Sequence, residues 1–283
     1  MVPTNVNTRP IKTDVAFTAL GAFWSEDSPK LLARALNSVC QNSLLPQEII
    51  LVQDGHVPPE LLKVIEDYNF FVPLRLIQLK DNKGLGHAMN VGLESVKTSY
   101  AIRFDADDVS LANRFQFLVT KLSEGYDLVG SQVCELNDPD STKTIRRVPK
   151  TKEEICRYAR YRNPFNHMTV GFRVSTVLNV GGYPNIRLRE DYALWARFLA
   201  ADCKICNIDE VLVQASVGDN MIRRRGGLNN LLAELKLQWL MVKLRVQSPI
   251  KAILFGCTRG LVCMLPVFLR KHFYRIYLRD QVA

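Results

Sequence analysis

Three aspartates fall within four positions, Asp105, Asp107 and Asp108, in "FDADDVS", directly after the apolar run "YAIRF". Asp105 and Asp107, two apart just past a strand, can turn their carboxylates into one pocket. Three acids so close repel one another unless a cation lies between them. A hard divalent cation takes carboxylate oxygens and keeps phosphates and water as further ligands. The plainer alternative is an acidic turn in which Asp108 caps the helix that follows.

Other residues could join that chemistry. "REDYALWARF" places Glu190 and Asp191 at the start of a helix whose apolar face would be Leu194, Trp195 and Phe198. The helix dipole favours carboxylates there, so Asp191 can serve as a general base, or simply meet the preference for acids at a helix start. "QDG" carries Asp54, an acceptor for a base or ribose, or a turn aspartate before glycine. "DNKGLGHAMN" carries Gly84 and Gly86. It lacks the Gly-Lys-Ser/Thr of a P-loop and the full dinucleotide fingerprint. "MIRRRGG" groups Arg223, Arg224 and Arg225, which could clamp a diphosphate or form a solvated linker. His167 in "NPFNHMTVGFR" is a possible ligand or acceptor contact, or a structural histidine.

These residues need elements to hold them. "DVAFTALGAF", "EIILVQDG", "LRLIQL", "YAIRFDADD" and "DLVGSQV" are short apolar runs separated by helical patterns. One of these, "SPKLLARALNSVCQN", repeats apolar residues at Leu31, Leu32, Ala35, Leu36 and Val39, with Ser28 at the N-cap and Pro29 next. The alternation predicts a mostly parallel α/β sheet covered by helices on both faces. Such sheets bind ligands beyond the carboxyl ends of their strands, where "QDG" and "DADD" both sit, so the two could share a crevice. Further on, "TKEEICRYARYR" opens with a capping-box spacing, Thr151 to Glu154. A strand, a glycine turn, a helix and a closing strand are expected between 163 and 216.

The 283 residues are 47% hydrophobic and 23% charged, enough for a sizeable core and unlike a disordered or integral membrane chain. The net charge of +9 is uneven. Residues 221–283 hold 12 Lys/Arg and 2 Asp/Glu, whereas the preceding 220 hold 25 and 26. A near-neutral body, 1–220, with a basic apolar end, 221–283, points to an anionic surface as partner, and the acidic cluster argues against a nucleic-acid channel. "NNLLAELKLQWLMVKLRVQ" is an amphipathic helix. The apolar stretches 252–257 and 261–269 are broken by Arg259 and Pro266 and are too short to span a bilayer. They fit a helix lying on a membrane surface, or a packed hairpin with a basic outer face. Seven cysteines, with one isolated "CKIC" pair (Cys203, Cys206), read as reduced thiols rather than a zinc site or a disulfide framework. "MVPTNVNTRPIKTD" has no apolar leader core, from which a cytoplasmic location is expected.

In their order, "SPKLLARALNSVCQNSLLPQEIILVQDG", "NKGLGHAMNVGL", "RFDADDVSLANRF", "RNPFNHMTVGFR", "VGGY", "REDYALW" and "RRRGG" resemble the family 2 glycosyltransferases of the GT-A fold. The likeness covers roughly residues 15–245. It is greatest to the bacterial enzymes of amylovoran, colanic acid and O-antigen assembly. The resemblance implies an inverting transfer of galactose or glucose from a UDP-sugar. The implied acceptor is an N-acetylhexosamine on undecaprenyl diphosphate, at the cytoplasmic face of the inner membrane. It implies that Asp54, Gly84, Asp105, Arg224 and Arg225 bind the nucleotide sugar. Asp107, with Asp105, would hold Mn²⁺ or Mg²⁺, and Asp191 would be the base. It leaves His167 and Glu190 as pocket or acceptor contacts. Gln53 stands where the family carries the first of two acids.

Overall fold

The computed structural model describes residues 15–68, 72–137, 142–217, 226–265 and 280–281. Strands and helices alternate through the first half as β1 (Phe17–Phe23), α1 (Pro29–Cys40), β2 (Glu48–Gln53), α2 (Pro59–Tyr68), β3 (Leu74–Gln78), α3 (Leu85–Ser95) and β4 (Tyr100–Asp105). Then come β5 (Val109–Ser110), α4 (Arg114–Ser123), β6 (Leu128–Asn137), β7 (Thr142–Arg146), α5 (Lys152–Tyr158), β8 (Gly171–Arg173), α6 (Val174–Asn179), α7 (Glu190–Ala200) and β9 (Ile205–Val217). The C-terminal part adds α8 (Leu228–Lys243), α9 (Pro249–Met264) and β10 (Asp280–Gln281).

The sheet runs β10-β7-β6-β8-β4-β1-β2-β3, with β9 alongside β6 and β5 on β9. Strands β3, β2, β1 and β4 are parallel, as the alternation predicts. Beyond β4 the sheet is mixed: β8 runs antiparallel to both β4 and β6, β7 antiparallel to β6, and β9 parallel to β6. The expected strand within 163–173 is only three residues long, preceded by a 3₁₀ turn at His167–Thr169, and the glycine turn follows the short α6.

Alternation along β1 sends Phe17, Ala19 and Phe23 to one face, where Leu32, Leu36 and Val39 of α1 and Phe115, Leu118 and Leu122 of α4 cover them. Leu20, with Ile50 and Val52 of β2, faces the other way, toward Ala88, Met89 and Leu93 of α3 and toward Leu194, Trp195 and Phe198 of α7. Helix starts follow their local chemistry. The capping box forms at α5, where Glu154 N–H donates to Thr151 Oγ1 (3.3 Å) and Thr151 N–H to Glu154 Oε2 (3.2 Å). At α1, Ser28 occupies the N-cap without a side-chain hydrogen bond, and Pro29 at the first helical position sets the start.

Helices α8 and α9 pack as a hairpin. Its inner side shares a buried cluster with α7, in which Ala233, Leu237 and Met241 meet Ile186, Tyr192, Ala193 and Ala196. Its outer side leaves Leu232, Leu235, Trp239, Ile250, Ile253 and Leu261 exposed. The hairpin thus packs on the body, and its outer face is apolar as well as basic. Among the described residues no helix is long and apolar enough to cross a membrane. Cys203 and Cys206 both carry free thiols.

Candidate active site

The parallel half reverses direction at β1, because β2 and β3 lie on one side of it and β4 on the other. Ala22 pairs with Asp105 and Phe23 with Gln53. The carboxyl ends of β2 and β4 thus flank the end of β1, and Asp54 and Asp105 straddle the crevice that such a reversal opens.

The acidic turn is held from beneath by two buried arginines. Arg103 in β4 makes a bidentate ion pair with Asp105, its Nη1 donating to Oδ2 at 2.7 Å. Burial works against the Arg103 charge, but Asp105 outweighs it and raises the guanidinium pKa overall. Arg114 donates to Ser110 Oγ (2.7 Å), to the Met168 carbonyl (2.7 Å) and to the Arg103 carbonyl. Burial, and then the neighbouring Arg103 charge, pull Arg114 down to about 9. From above, Arg34 of α1 donates to the Asp107 carbonyl (3.0 Å) and to Ser216 Oγ at the end of β9.

Asp108 does not cap the next helix, because α4 starts after Asn113. Asp108 is instead buried and accepts from Ser216 N–H (3.1 Å), tying the turn to β9. Burial, then the charges of Asp105 and Asp107, push its carboxyl well above the usual range. Oxygens of Asp105, Asp107 and Asp108 lie within 4.8 Å of one another. An all-carboxylate set under mutual repulsion fits a hard divalent cation, which would relieve that repulsion.

Asp54 occupies the expected strand end, with its carboxylate already engaged by the protein. Oδ1 accepts from Lys83 N–H and Oδ2 from Gly84 N–H, each at 2.9 Å. Its structural role is to shape the loop that enters α3. Gly84 is the N-cap of α3 with φ +92°, a conformation that favours glycine; a Cβ there would meet nothing within 4 Å. Further along α3, Asn90 braces the glycine turn after α6, donating to the Tyr183 carbonyl (2.9 Å) and accepting from Tyr183 N–H (2.8 Å).

Glu190 and Asp191 form the first turn of α7 as the spacing predicts, with Leu194, Trp195 and Phe198 buried beneath. Asn163 Nδ2 donates to Asp191 Oδ2 at 2.6 Å. Burial, then the Asp191 charge, raise the Glu190 carboxyl pKa. Glu190 Oε2 is buried with no hydrogen-bond partner among the described residues. A cavity of about 380 Å³ opens beside it, bounded by residues 83–87, Asn90 and residues 183–187. His167 does not line that cavity but backs its Tyr183 wall: its Nε2 lies 2.9 Å from Tyr183 Oη and its ring meets Trp195 edge-on. Burial, then the Arg103 charge, hold its pKa well below the ordinary imidazole value, so it is neutral at pH 7. Burial raises the Tyr183 hydroxyl above the ordinary phenol range, and the charges of Arg103, Asp191, Asp105 and Glu190 all act on it.

Of the residues singled out in the sequence, Asp105, Asp107, Asp54, Gly84, His167, Glu190 and Asp191 come together in this region. Arg223, Arg224 and Arg225 lie outside the described residues. Sequence reasoning misses Arg103, Arg114, Asn163 and Tyr183. The signal that could have found one of them is Arg103 itself, a charge placed within an otherwise apolar strand.

The family model described as "Glycosyl transferase family 2" matches residues 23–181, ending just before Glu190 and Asp191. The chain is 35% identical over 266 residues to an Escherichia coli protein, UDP-Gal:alpha-D-GlcNAc-diphosphoundecaprenol beta-1,3-galactosyltransferase. That alignment spans 93% of this chain and 96% of that protein. The amylovoran biosynthesis glycosyltransferase AmsE of Erwinia amylovora is 32% identical over 260 residues, 91% of this chain and 97% of its own. The crystal structure of S. aureus TarS 1-349 in complex with UDP-GlcNAc matches with a TM-score of 0.65 at 16% identity, covering 93% of this chain and 76% of that one. Against a longer TarS structure the TM-score is 0.66, and the chain spans 46% of its length. At such identity the TarS likeness is one of fold.

Proposed function

This chain belongs to glycosyl transferase family 2, and on that premise we propose that it moves galactose or glucose from a UDP-sugar to an N-acetylhexosamine carried on undecaprenyl diphosphate. The reaction serves O-antigen, capsule or exopolysaccharide assembly. The observation that carries the reading is the cluster of Asp105, Asp107 and Asp108 at the strand end beside the reversal of the sheet, and the carboxylate pair that opens α7 supports it. The lipid-linked acceptor is supported by what the E. coli relative is named for.

In this reading Asp191 accepts the proton of the acceptor hydroxyl. The oxygen attacks C1 of the donor sugar from the face opposite the diphosphate. The C1–O bond to UDP breaks, and the configuration at C1 inverts. Asp107, with Asp105 and Asp108 beside it, would hold Mn²⁺ or Mg²⁺, a Lewis acid for the departing diphosphate. Arg103 keeps Asp105 oriented. Glu190 and the cavity beside it hold the sugars, with Tyr183 as a wall and His167 behind it.

The test is transfer by the purified full chain from a panel of UDP-sugars to a synthetic GlcNAc-diphospholipid, with product anomers read by NMR. A β-linked product from UDP-galactose or UDP-glucose is expected. An α-linked product, or no binding of UDP, overturns the reading.

An acceptor in a bilayer calls for an enzyme seated on one. The outer face of α8 and α9 supports this, with Trp239, Ile250 and Ile253 each at least 66% exposed and Lys236, Lys243 and Lys251 on the same two helices. Burying one large apolar side chain in the interface is worth about 1.5–3 kcal/mol, and each lysine near an anionic surface about 1 kcal/mol. The triple variant Trp239→Ser, Ile250→Ser, Ile253→Ser should lower co-sedimentation with anionic vesicles at least about ten-fold. Transfer to a short-chain, water-soluble acceptor should be unchanged. Undiminished vesicle binding would exclude this face as the seat.

A further inference from the structure

The interface between the hairpin and α7 contains a fully buried acid. Glu234 of α8 has 0% exposure. Its Oε2 accepts from Arg189 Nε (3.1 Å) and pairs with Arg259 Nη2 of α9 (3.2 Å), and its Oε1 accepts from Gln238 Nε2 (2.9 Å). Gln238 is held in turn by Gln247, which also donates to the Arg160 carbonyl.

A buried ion pair is weak evidence for stability, because well-packed apolar groups of the same volume often do as well or better. Apolar packing is already supplied here by Leu237, Met241, Tyr192 and Ala196. What the charge adds is direction, and the residue it directs is Arg189, the N-cap of α7, immediately before Glu190 and Asp191. The chain enters α7 through Leu188 at φ +71°, a left-handed conformation that costs a leucine free energy. Arg189 closes that turn by donating from Nη1 to the Leu188 carbonyl (2.7 Å) while its Nε is held by Glu234. Arg259 holds the other side of the same carboxylate and lies over the Tyr192 ring, one residue past Asp191.

We propose that Glu234 is a positioning residue for Asp191. Through Arg189 it fixes the strained 188–189 turn, and so the aim of the first turn of α7 into the crevice. Asp191 is then pinned from two sides, by Asn163 through its carboxylate and by Glu234 through its backbone. This proposal rests on the reading of Asp191 as the base.

The test uses the full chain, with transfer kinetics, UDP binding by calorimetry and melting measured together. Glu234→Gln keeps the volume and removes the charge. It should lower kcat at least about ten-fold, the cost expected of a small misplacement of a reacting group. KM for the UDP-sugar and the Kd for UDP should stay within about two-fold, and Glu234→Asp should recover part of the loss. Arg189→Gln breaks the same link from the solvent side and should reproduce the split even if the Glu234 variant folds poorly. In an Asp191→Asn background, Glu234→Gln should change the residual rate less than about two-fold, since there is no base left to aim. Unchanged kcat in both single variants overturns the proposal. So does a fall in kcat matched by equal losses in UDP binding and melting temperature, or a full further loss in the Asp191→Asn background. An inactive Asp191→Asn beside an unimpaired Glu234→Gln sinks the positioning role alone; a fully active Asp191→Asn sinks the base reading beneath it.

Discussion

Asp191→Asn should lower kcat for sugar transfer by about 10²–10⁴-fold, the range a positioned general base supplies. The substitution is close to isosteric, and Asn163 Nδ2 can still donate to the new amide oxygen where it now donates to Asp191 Oδ2. The first turn of α7 therefore keeps its shape, and the apolar face of Leu194, Trp195 and Phe198 is untouched. On the proposed reading, what disappears is the lone pair that takes the acceptor proton. UDP binding should persist, and calorimetry on the variant separates lost chemistry from lost binding. Full activity of the variant would refute the assignment.

Asp107→Ala should remove transfer together with its response to Mn²⁺ or Mg²⁺. Removal of the metal by chelation should abolish transfer by the wild-type chain, with rate losses of at least about 10²-fold in each case. The turn should survive the substitution, because Arg34 holds residue 107 through its backbone carbonyl and Asp108 is tied to Ser216 independently. A structural explanation of the loss would therefore need a drop in melting temperature, and none is expected. Titration of Mn²⁺ at fixed UDP, followed by electron paramagnetic resonance, gives a readout apart from activity: the variant should leave the ion free in solution. Transfer that resists chelation would overturn the metal reading, whatever the Asp107 variant did.

Those two aspartates are legible in the amino-acid sequence because their neighbours are local. A run of apolar residues ending in acids marks a strand end, and an acidic pair before Leu194, Trp195 and Phe198 marks a helix start. The parallel half of the sheet is legible for the same reason. The antiparallel half is not, because β8 has three residues and β6 finds its partners through pairings with 142–146, 171–172 and 205–217. Spacing also puts Asp54 at the correct strand end. It cannot show that N–H groups 29 and 30 residues further on engage both carboxylate oxygens. Arg103 and Arg114 are hidden differently: a charge in an apolar segment reads as solvent-facing, whereas here each sits at 2% exposure or less beneath the acidic turn. Glu234 is hidden in the same way, as one acid among the polar positions of an amphipathic helix.

Strand β10 pairs Asp280 with Ile145 and Gln281 with Thr144 of β7. The hairpin is therefore an insertion between two strands of one sheet, a handle fastened at both ends rather than a tail. The hairpin and the helix that carries Asp191 are not separable modules in such a chain. A stop after α8 would take away Arg259 and the strand that closes the sheet edge, and a stop before it would uncover α7. The outer face can be repainted residue by residue without consequence inside. The inner face, with Glu234, Leu237 and Met241, tolerates no such freedom, so any shortening of this protein that uncovers α7 should also blunt its catalysis.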